Sequence, residues 1–314
     1  MGELSLIEKF RAQAPTHPWI TIGPGHDCAA LKWPASQELL FKIDQVIEGT
    51  HFVFDGFCKS TPYQAGWKAM AKACSDIAAA GGWPVAAAVA INIRKGSNEA
   101  IALEVYEGLI ACCKRFQFGL AGGDFSTSES GLSVCVSLLG KCERHKDGRG
   151  RAWQRGGARR GDVLIVTGPL GGSRLGKHHE FMPRLEEARK IRELCPDGVH
   201  ACIDITDGLS RDLHHICKES QCGARIFSEQ IPITHIVKFK ANDEESALHQ
   251  ALTDGEDFEL LLAIDKDEVE TLKRDSKYYF TQIGRIELPR RGVVIVAPDG
   301  TERPLPDVGY EHHV

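Results

Sequence analysis

The sequence predicts an α+β protein built as two α/β-sandwich-like domains in succession, and three observations carry that expectation. Strand-like and helical runs alternate through the first half, a basic glycine-rich stretch over residues 143–161 breaks the pattern, and a strong strand, Asp162-Val-Leu-Ile-Val-Thr167, restarts it. The break sets the expected division at residues 1–150 and 151–314.

In chain order, residues 39–46 read as a strand and residues 63–80 as a helix, with Trp67, Met70, Cys74 and Ile77 spaced for one face. A strand is expected over 84–93, a helix over 98–116 buried through Ile101, Val105, Leu109 and Cys112, and a closing strand over 132–142. The second half continues with strands at 201–205, 258–264 and 292–296 and a helix at 209–219. No repeat with a solenoid or propeller period is present.

Composition narrows the function classes. The 314 residues are 42% hydrophobic and 26% charged, which excludes disordered and low-complexity chains. Lys plus Arg number 38 against 43 Asp plus Glu, a formal charge of -5, so no global positive field favours nucleic acid or anionic lipid. The first fifteen residues lack a signal-peptide core, and the longest apolar run, residues 77–91, contains two glycines and Pro84 and falls short of the ~20 residues of a spanning helix. A cytoplasmic protein without membrane or nucleic-acid partners is expected. Eleven cysteines occur without one C-x-x-C pair, which reads as reduced Cys used as a small hydrophobe.

One nucleotide motif is nearly complete. Gly171-Gly-Ser-Arg-Leu-Gly176-Lys177 follows a strand, yet His178 stands where a phosphate-binding loop needs Ser or Thr, and Pro183 interrupts the helix that should follow. More informative are aspartates beside glycines at element ends: Gly25-His-Asp27-Cys-Ala-Ala, Asp44-Gln-Val-Ile-Glu48-Gly-Thr-His51-Phe, Cys74-Ser-Asp76-Ile-Ala-Ala, Gly122-Gly-Asp124 and Asp204-Ile-Thr-Asp207-Gly-Leu. Such carboxylates suit a hard divalent cation that bridges phosphates, and adjacent glycines let backbone N–H groups approach an anion. Asp76 falls late in a mostly apolar helix, where capping is unavailable and a charged partner or metal is required.

This ordered series, together with Arg155-Gly-Gly-Ala-Arg-Arg-Gly-Asp162 and Gly255-Glu256-Asp257-Phe, resembles the thiamine-monophosphate kinase family within the aminoimidazole ribonucleotide synthetase and selenophosphate synthetase superfamily, nearly end to end. Glu48-Gly-Thr-His51-Phe, the run from Gly255 to Leu260 and the tail Val308-Gly-Tyr310-Glu-His select the kinase branch. The resemblance implies an N-terminal domain with a dimer-forming sheet, a C-terminal domain of the same superfamily, and transfer of the ATP γ-phosphoryl group to thiamine monophosphate with several Mg2+ ions. It further implies Asp27, Asp44, Asp76, Asp124, Asp204 and Asp207 as metal ligands. Tyr106, Gly122, Gly123, Arg155 and Thr206 match ATP-contacting positions, and His51, Glu256 and Tyr310 match positions at the thiamine phosphate. No general base is implied, since the acceptor phosphate is already an anion.

Departures from the pattern limit these expectations. His26 replaces an Asp, Lys42 stands before Asp44 where a hydroxyl is usual, Asp254 replaces a glycine, and the segment between Gly176 and Pro183 is short. Lys42, as a point charge, could take over one metal's contact with phosphate. Two alternatives stay open: an ATP-dependent synthetase or kinase acting on another small acceptor, and a non-catalytic nucleotide-binding relative.

Overall fold

The computed structural model describes residues 9–10, 12–22, 30–31, 33–143, 152–274 and 280–310. Asp27 and His26 lie outside the described residues, as does the middle of the expected interdomain stretch. The chain divides into two compact units: unit 1 comprises 1–77, 82–151 and 179–182, and unit 2 comprises 78–81, 152–178 and 183–314.

Unit 1 begins with the short antiparallel pair β1 (Ile20–Ile22) and β2 (Ala30–Leu31). Its main sheet has four strands, β3 (Gln37–Ile47), β4 (Trp83–Arg94), β5 (Gly119–Ser128) and β6 (Ser133–Glu143), in the order β3-β6-β4-β5. β3 and β4 both run antiparallel to β6, while β4 and β5 pair in parallel across the helical crossover α2 (Glu99–Phe116). Period-two alternation sets the two faces of this sheet. Val46, Val134, Val136 and Leu138 are buried on the face toward α1 (Pro62–Ala79), whereas Leu39, Phe41 and Ile43 of β3 are exposed on the other.

The helices meet closely because two glycines allow it. A Cβ on Gly66 of α1 would strike the Val105 carbonyl of α2, and one on Gly108 of α2 would strike the Tyr63 carbonyl of α1. Asn98 caps α2 by accepting from the Ala100 N–H, and Gln117, in the left-handed region at φ 58°, ends it by donating its N–H to the Cys113 and Lys114 carbonyls.

Unit 2 is built on a seven-stranded sheet of β7 (Val163–Val166), β8 (Val199–Asp204), β9 (Gly223–Phe227), β10 (Leu260–Ile264), β11 (Thr281–Glu287), β12 (Val293–Val296) and β13 (Glu302–Pro304), in the order β13-β12-β9-β11-β7-β10-β8. Only the β9–β12 pair among these is parallel. The helices are α3 (Leu185–Leu194), α4 (Leu209–Ser220), α5 (His235–Lys240), α6 (Glu244–Thr253) and α7 (Val269–Lys273).

The core of this unit joins Leu164, Val166, Ala201, Ile203 and Leu261 of the sheet to Leu209, Leu213 and Ile216 of α4. β10 is buried at every position, which explains its unbroken apolar run: a strand covered on both faces needs no polar alternation. The expected strands and helices of both halves appear within a few residues of their predicted bounds, and the two-part α+β class holds.

Candidate active site

In unit 2 the chemistry gathers at the turn from β8 to α4. Asp204 ends the strand, buried, and Gly208 opens the helix at φ 111°, where a Cβ would crowd the Leu252 carbonyl. Inside the turn, the Thr206 and Asp207 N–H groups donate to Asp212 Oδ2 at 2.9 and 3.1 Å. Asp212 is only 1% exposed. Burial pushes its carboxyl up, the Asp207 and Asp204 carboxylates push it further against the two N–H donors, and it reaches about 8. One carboxyl oxygen from each of Asp207 and Asp212 and a ring nitrogen of His215 lie within 4.8 Å of one another.

Further segments close around this turn. Glu256 N–H donates to the Thr206 carbonyl at 2.7 Å and Phe258 N–H to the Ile205 carbonyl at 2.9 Å. Both residues sit at positive φ, 52° and 53°, a strained conformation for non-glycine residues that clusters at functional sites. Tyr310 N–H donates to the Asp207 carbonyl at 2.9 Å, and Arg211 Nη1 donates to the Tyr310 carbonyl at 3.0 Å. His215 is held below the usual imidazole range by burial first and by Arg155 next, against Asp307 and Asp207. Thus Arg155, Asp204, Thr206, Asp207, Glu256 and Tyr310 are brought to one neighbourhood.

The sequence reading missed Asp212 and His215. A signal was present for the first: Asp212 falls in the stripe of Leu209, Leu213 and Ile216, and a carboxylate in an apolar stripe requires a partner.

The near phosphate-binding loop is used otherwise. Gly171 N–H donates to both Asp257 carboxylate oxygens at 3.0 and 3.1 Å, and Gly172 N–H donates to Asp254 Oδ2 at 2.7 Å. Lys177 Nζ donates to Glu259 Oε1 at 2.8 Å and to the Pro169 carbonyl at 2.9 Å. The groups that would cradle phosphate are occupied by this protein's own carboxylates, so Asp254, a departure from the family pattern, has a structural task.

In unit 1, Asp44 and Asp76 share Lys42, and Lys72 also pairs with Asp44. Lys42 Nζ lies 2.8 Å from Asp76 Oδ1 and 3.7 Å from Asp44 Oδ2, and Lys72 Nζ lies 2.9 Å from Asp44 Oδ1. Asp76 therefore has the charged partner its apolar setting demands. Lys42 pairs with the carboxylates instead of standing apart from them.

The other residues are more dispersed. Register places Asp44 in a row with Val136, Val89 and Gly123, on the helix-covered face of the sheet. Asp124 falls in the next row, with Gln45, Cys135 and Ala90, and so faces the opposite way and is exposed. A Cβ at Gly122 would meet nothing within 4 Å, which leaves that backbone open to an incoming group.

His51 Nδ1 accepts from the Ile47 N–H at 3.1 Å, and the His51 carbonyl accepts from Lys68 Nζ. Tyr106 faces Phe10. It is buried, its ring stacks on Phe10 with centroids 4.2 Å apart, and its hydroxyl donates to the Phe10 carbonyl at 2.8 Å.

Comparison with known proteins identifies the family. The family model of AIR synthase related protein, N-terminal domain, matches residues 25–142, and that of the C-terminal domain matches residues 159–297. The thiamine-monophosphate kinase of Rhodopirellula baltica is 35% identical over 320 residues, spanning 99% of this chain and 97% of its own. That of Escherichia coli K12 is 29% identical over 336 residues, spanning 99% and 98%.

Among solved structures, thiamine-monophosphate kinase from Stenotrophomonas maltophilia K279a superposes with a TM-score of 0.79 at 25% identity over 98% of each chain. AaThiL complexed with AMPPCP and TMP gives a TM-score of 0.75 at 26% identity over 99% of this chain and 96% of its own. The hydrogenase maturation protein HypE of E. coli, 18% identical with a TM-score of 0.75 over 98% of each chain, shares the fold. From the two matched domains and the full-length kinase relatives, the chain belongs to the thiamine-monophosphate kinase family of AIR synthase-related proteins.

Proposed function

We propose that this protein transfers the γ-phosphoryl group of ATP to thiamine monophosphate, giving thiamine diphosphate and ADP, with residues 1–150 binding nucleotide and forming a dimer and residues 151–314 completing the site. The observation that carries the reading is the turn from Asp204 to Asp212, where three carboxylates converge beneath Tyr310 and Glu256. Carboxylates gathered in this way favour the arrival of a cation.

The donor set fits magnesium: its oxygens are hard ligands, and the Asp207 and Asp204 carboxylates add to burial in raising the Asp212 carboxyl. Asp204 and Asp207 would hold the ion, which when bound neutralises phosphate charge and aligns the two anionic substrates. Asp212 orders the turn through the Thr206 and Asp207 N–H groups, and Arg155 adds a fixed positive charge beside it. His51, Glu256 and Tyr310 are assigned to the thiamine phosphate.

Unit 1 suits a metal less well, because Lys42 and Lys72 already neutralise Asp44 and Asp76. These carboxylates, with Asp27 and Asp124, would bind further magnesium only once the lysines turn to phosphate. Gly122 and Gly123 are assigned to ATP, and Tyr106 to the wall beside it, since its hydroxyl is committed to Phe10.

We further propose a homodimer formed through the exposed apolar face of β3, which carries Leu39, Phe41, Ile43 and Ile47. A cytoplasmic location fits such an enzyme, and among the described residues no helix is long and apolar enough to cross a membrane. The test is direct: incubate the protein with ATP, magnesium and thiamine monophosphate, and separate the products. Thiamine diphosphate and ADP in equal amounts are expected. ATP binding without thiamine diphosphate would overturn the reading.

A further inference from the structure

Cys58 is not among the groups assigned to the kinase reaction. It is a half-buried loop residue in the left-handed region at φ 58°, and its Sγ lies 3.1 Å from His179 Nε2. The other ring nitrogen, Nδ1, lies 2.7 Å from Ser60 Oγ. His179 and Ser60 are both buried, and Ser60 N–H donates to the Val53 carbonyl at 2.7 Å.

The segment carrying His179 is fastened to α1 at two more points. Gln64 Nε2 donates to Glu180 Oε1 at 2.8 Å, and Trp67 Nε1 donates to the Phe181 carbonyl at 3.0 Å. The imidazole is therefore placed against the thiol by its own bond to Ser60 and by two anchors that directly follow it in the chain.

This is the arrangement of an activated nucleophile: a thiol, a base within hydrogen-bond reach, and a third group orienting the base. With Ser60 Oγ accepting from Nδ1–H, the Nε2 lone pair faces the Cys58 sulfur. Other cysteines differ sharply. Burial pushes the thiols of Cys112, Cys113 and Cys202 well up, and holds them inert.

We propose that Cys58 is a reactive thiol, activated by His179 and oriented through Ser60, and a site of covalent modification by soft electrophiles such as hydrogen peroxide. The proton passes from Sγ to Nε2, leaving a thiolate beside an imidazolium. The sulfur then takes one oxygen of the peroxide as the O–O bond breaks. Sulfur is oxidised to the sulfenic acid, peroxide is reduced, and the departing hydroxide takes the imidazolium proton to become water.

The test uses the full-length protein with iodoacetamide as probe, glutathione in the same tube as reference, a chelator present, and peptide mass spectrometry to follow Cys58 from pH 5 to pH 9. Cys58 is expected to react about ten-fold faster than glutathione at pH 6 and to plateau while glutathione is still climbing. In His179→Gln the plateau should vanish and the pH 6 advantage should be lost. Ser60→Ala, which keeps the base but frees Nδ1, should lower the advantage by about three-fold and serves if the histidine variant misfolds. A Cys58 rate that rises in parallel with glutathione, or a plateau that survives both substitutions, would overturn the proposal.

Discussion

Asp257 and Glu259 are two residues apart and both hidden from water, yet their carboxyls move in opposite directions. Burial alone would push Glu259 up, but Lys177 and Arg184 outweigh it and hold the carboxyl low, with Arg184 donating to both of its oxygens at 2.6 Å. Asp257 has a weaker counterion, Lys177 at 3.7 Å, and burial raises its carboxyl to about 7 from an ordinary value of 3.8. A carboxyl whose folded value is raised keeps its proton in the fold while the unfolded chain loses it. Its contribution is complete below pH 3.8 and is lost as pH rises towards 7, at about 1.4 kcal/mol per pH unit. Asp257→Asn should therefore gain on the parent protein in melting temperature between pH 5 and pH 7.5, and a constant gap across that range would show Asp257 to be ionised in the fold. At the proposed magnesium site, Asp207→Asn should lower turnover by at least about 100-fold with melting temperature within a few degrees of the parent. A protein that keeps its turnover would remove Asp207 from the magnesium set.

Backbone proximity, more than side-chain contact, shapes the elements that carry the site. Gly309 lies so near the Asp207 carbonyl that a Cβ there would collide with it, and the neighbouring Tyr310 N–H donates to the same oxygen. Gly309→Ala should lift the tail from the β8–α4 turn and raise the KM for thiamine monophosphate by about ten-fold or more, while kcat and the melting temperature change little. An unchanged KM would exclude the tail from substrate binding. In unit 1 the crossing of α1 over α2 is equally intolerant. Gly108→Ala should cost about 2 kcal/mol or more, read as a fall in the urea midpoint. Elements of this kind were legible wherever a period showed, as in α1, α2 and β6. β5 was hidden because Gly119-Leu-Ala-Gly-Gly-Asp124 has neither β-branched residues nor alternation, and pairing with β4, not its own propensity, holds it extended.

At the scale of the whole molecule, the motifs named candidate residues for the chemistry but not what each one faces. Asp44 and Asp76 were readable as candidate metal ligands. That Lys42 and Lys72 neutralise them depends on β3 and α1 packing together, an arrangement no local pattern encodes. The same register fixes the opposite face of β3. Because Lys42, Asp44 and Val46 turn inward, Phe41, Ile43 and Ile47 must turn out, and Phe41 and Ile43 are 69% and 60% exposed. An apolar row on an edge strand, paired on one side only with β6, is an unstable ending for a sheet in water unless a second copy covers it. The parent protein should therefore sediment with the mass of two 34.5 kDa chains, and the double substitution Phe41→Lys with Ile43→Lys should sediment as one. Both side chains point away from the core, so the variant should keep its helical circular dichroism and its melting cooperativity. If the parent itself sediments as a single chain at micromolar concentration, the β3 face is not a dimer surface. If the double variant remains paired, the subunits meet elsewhere.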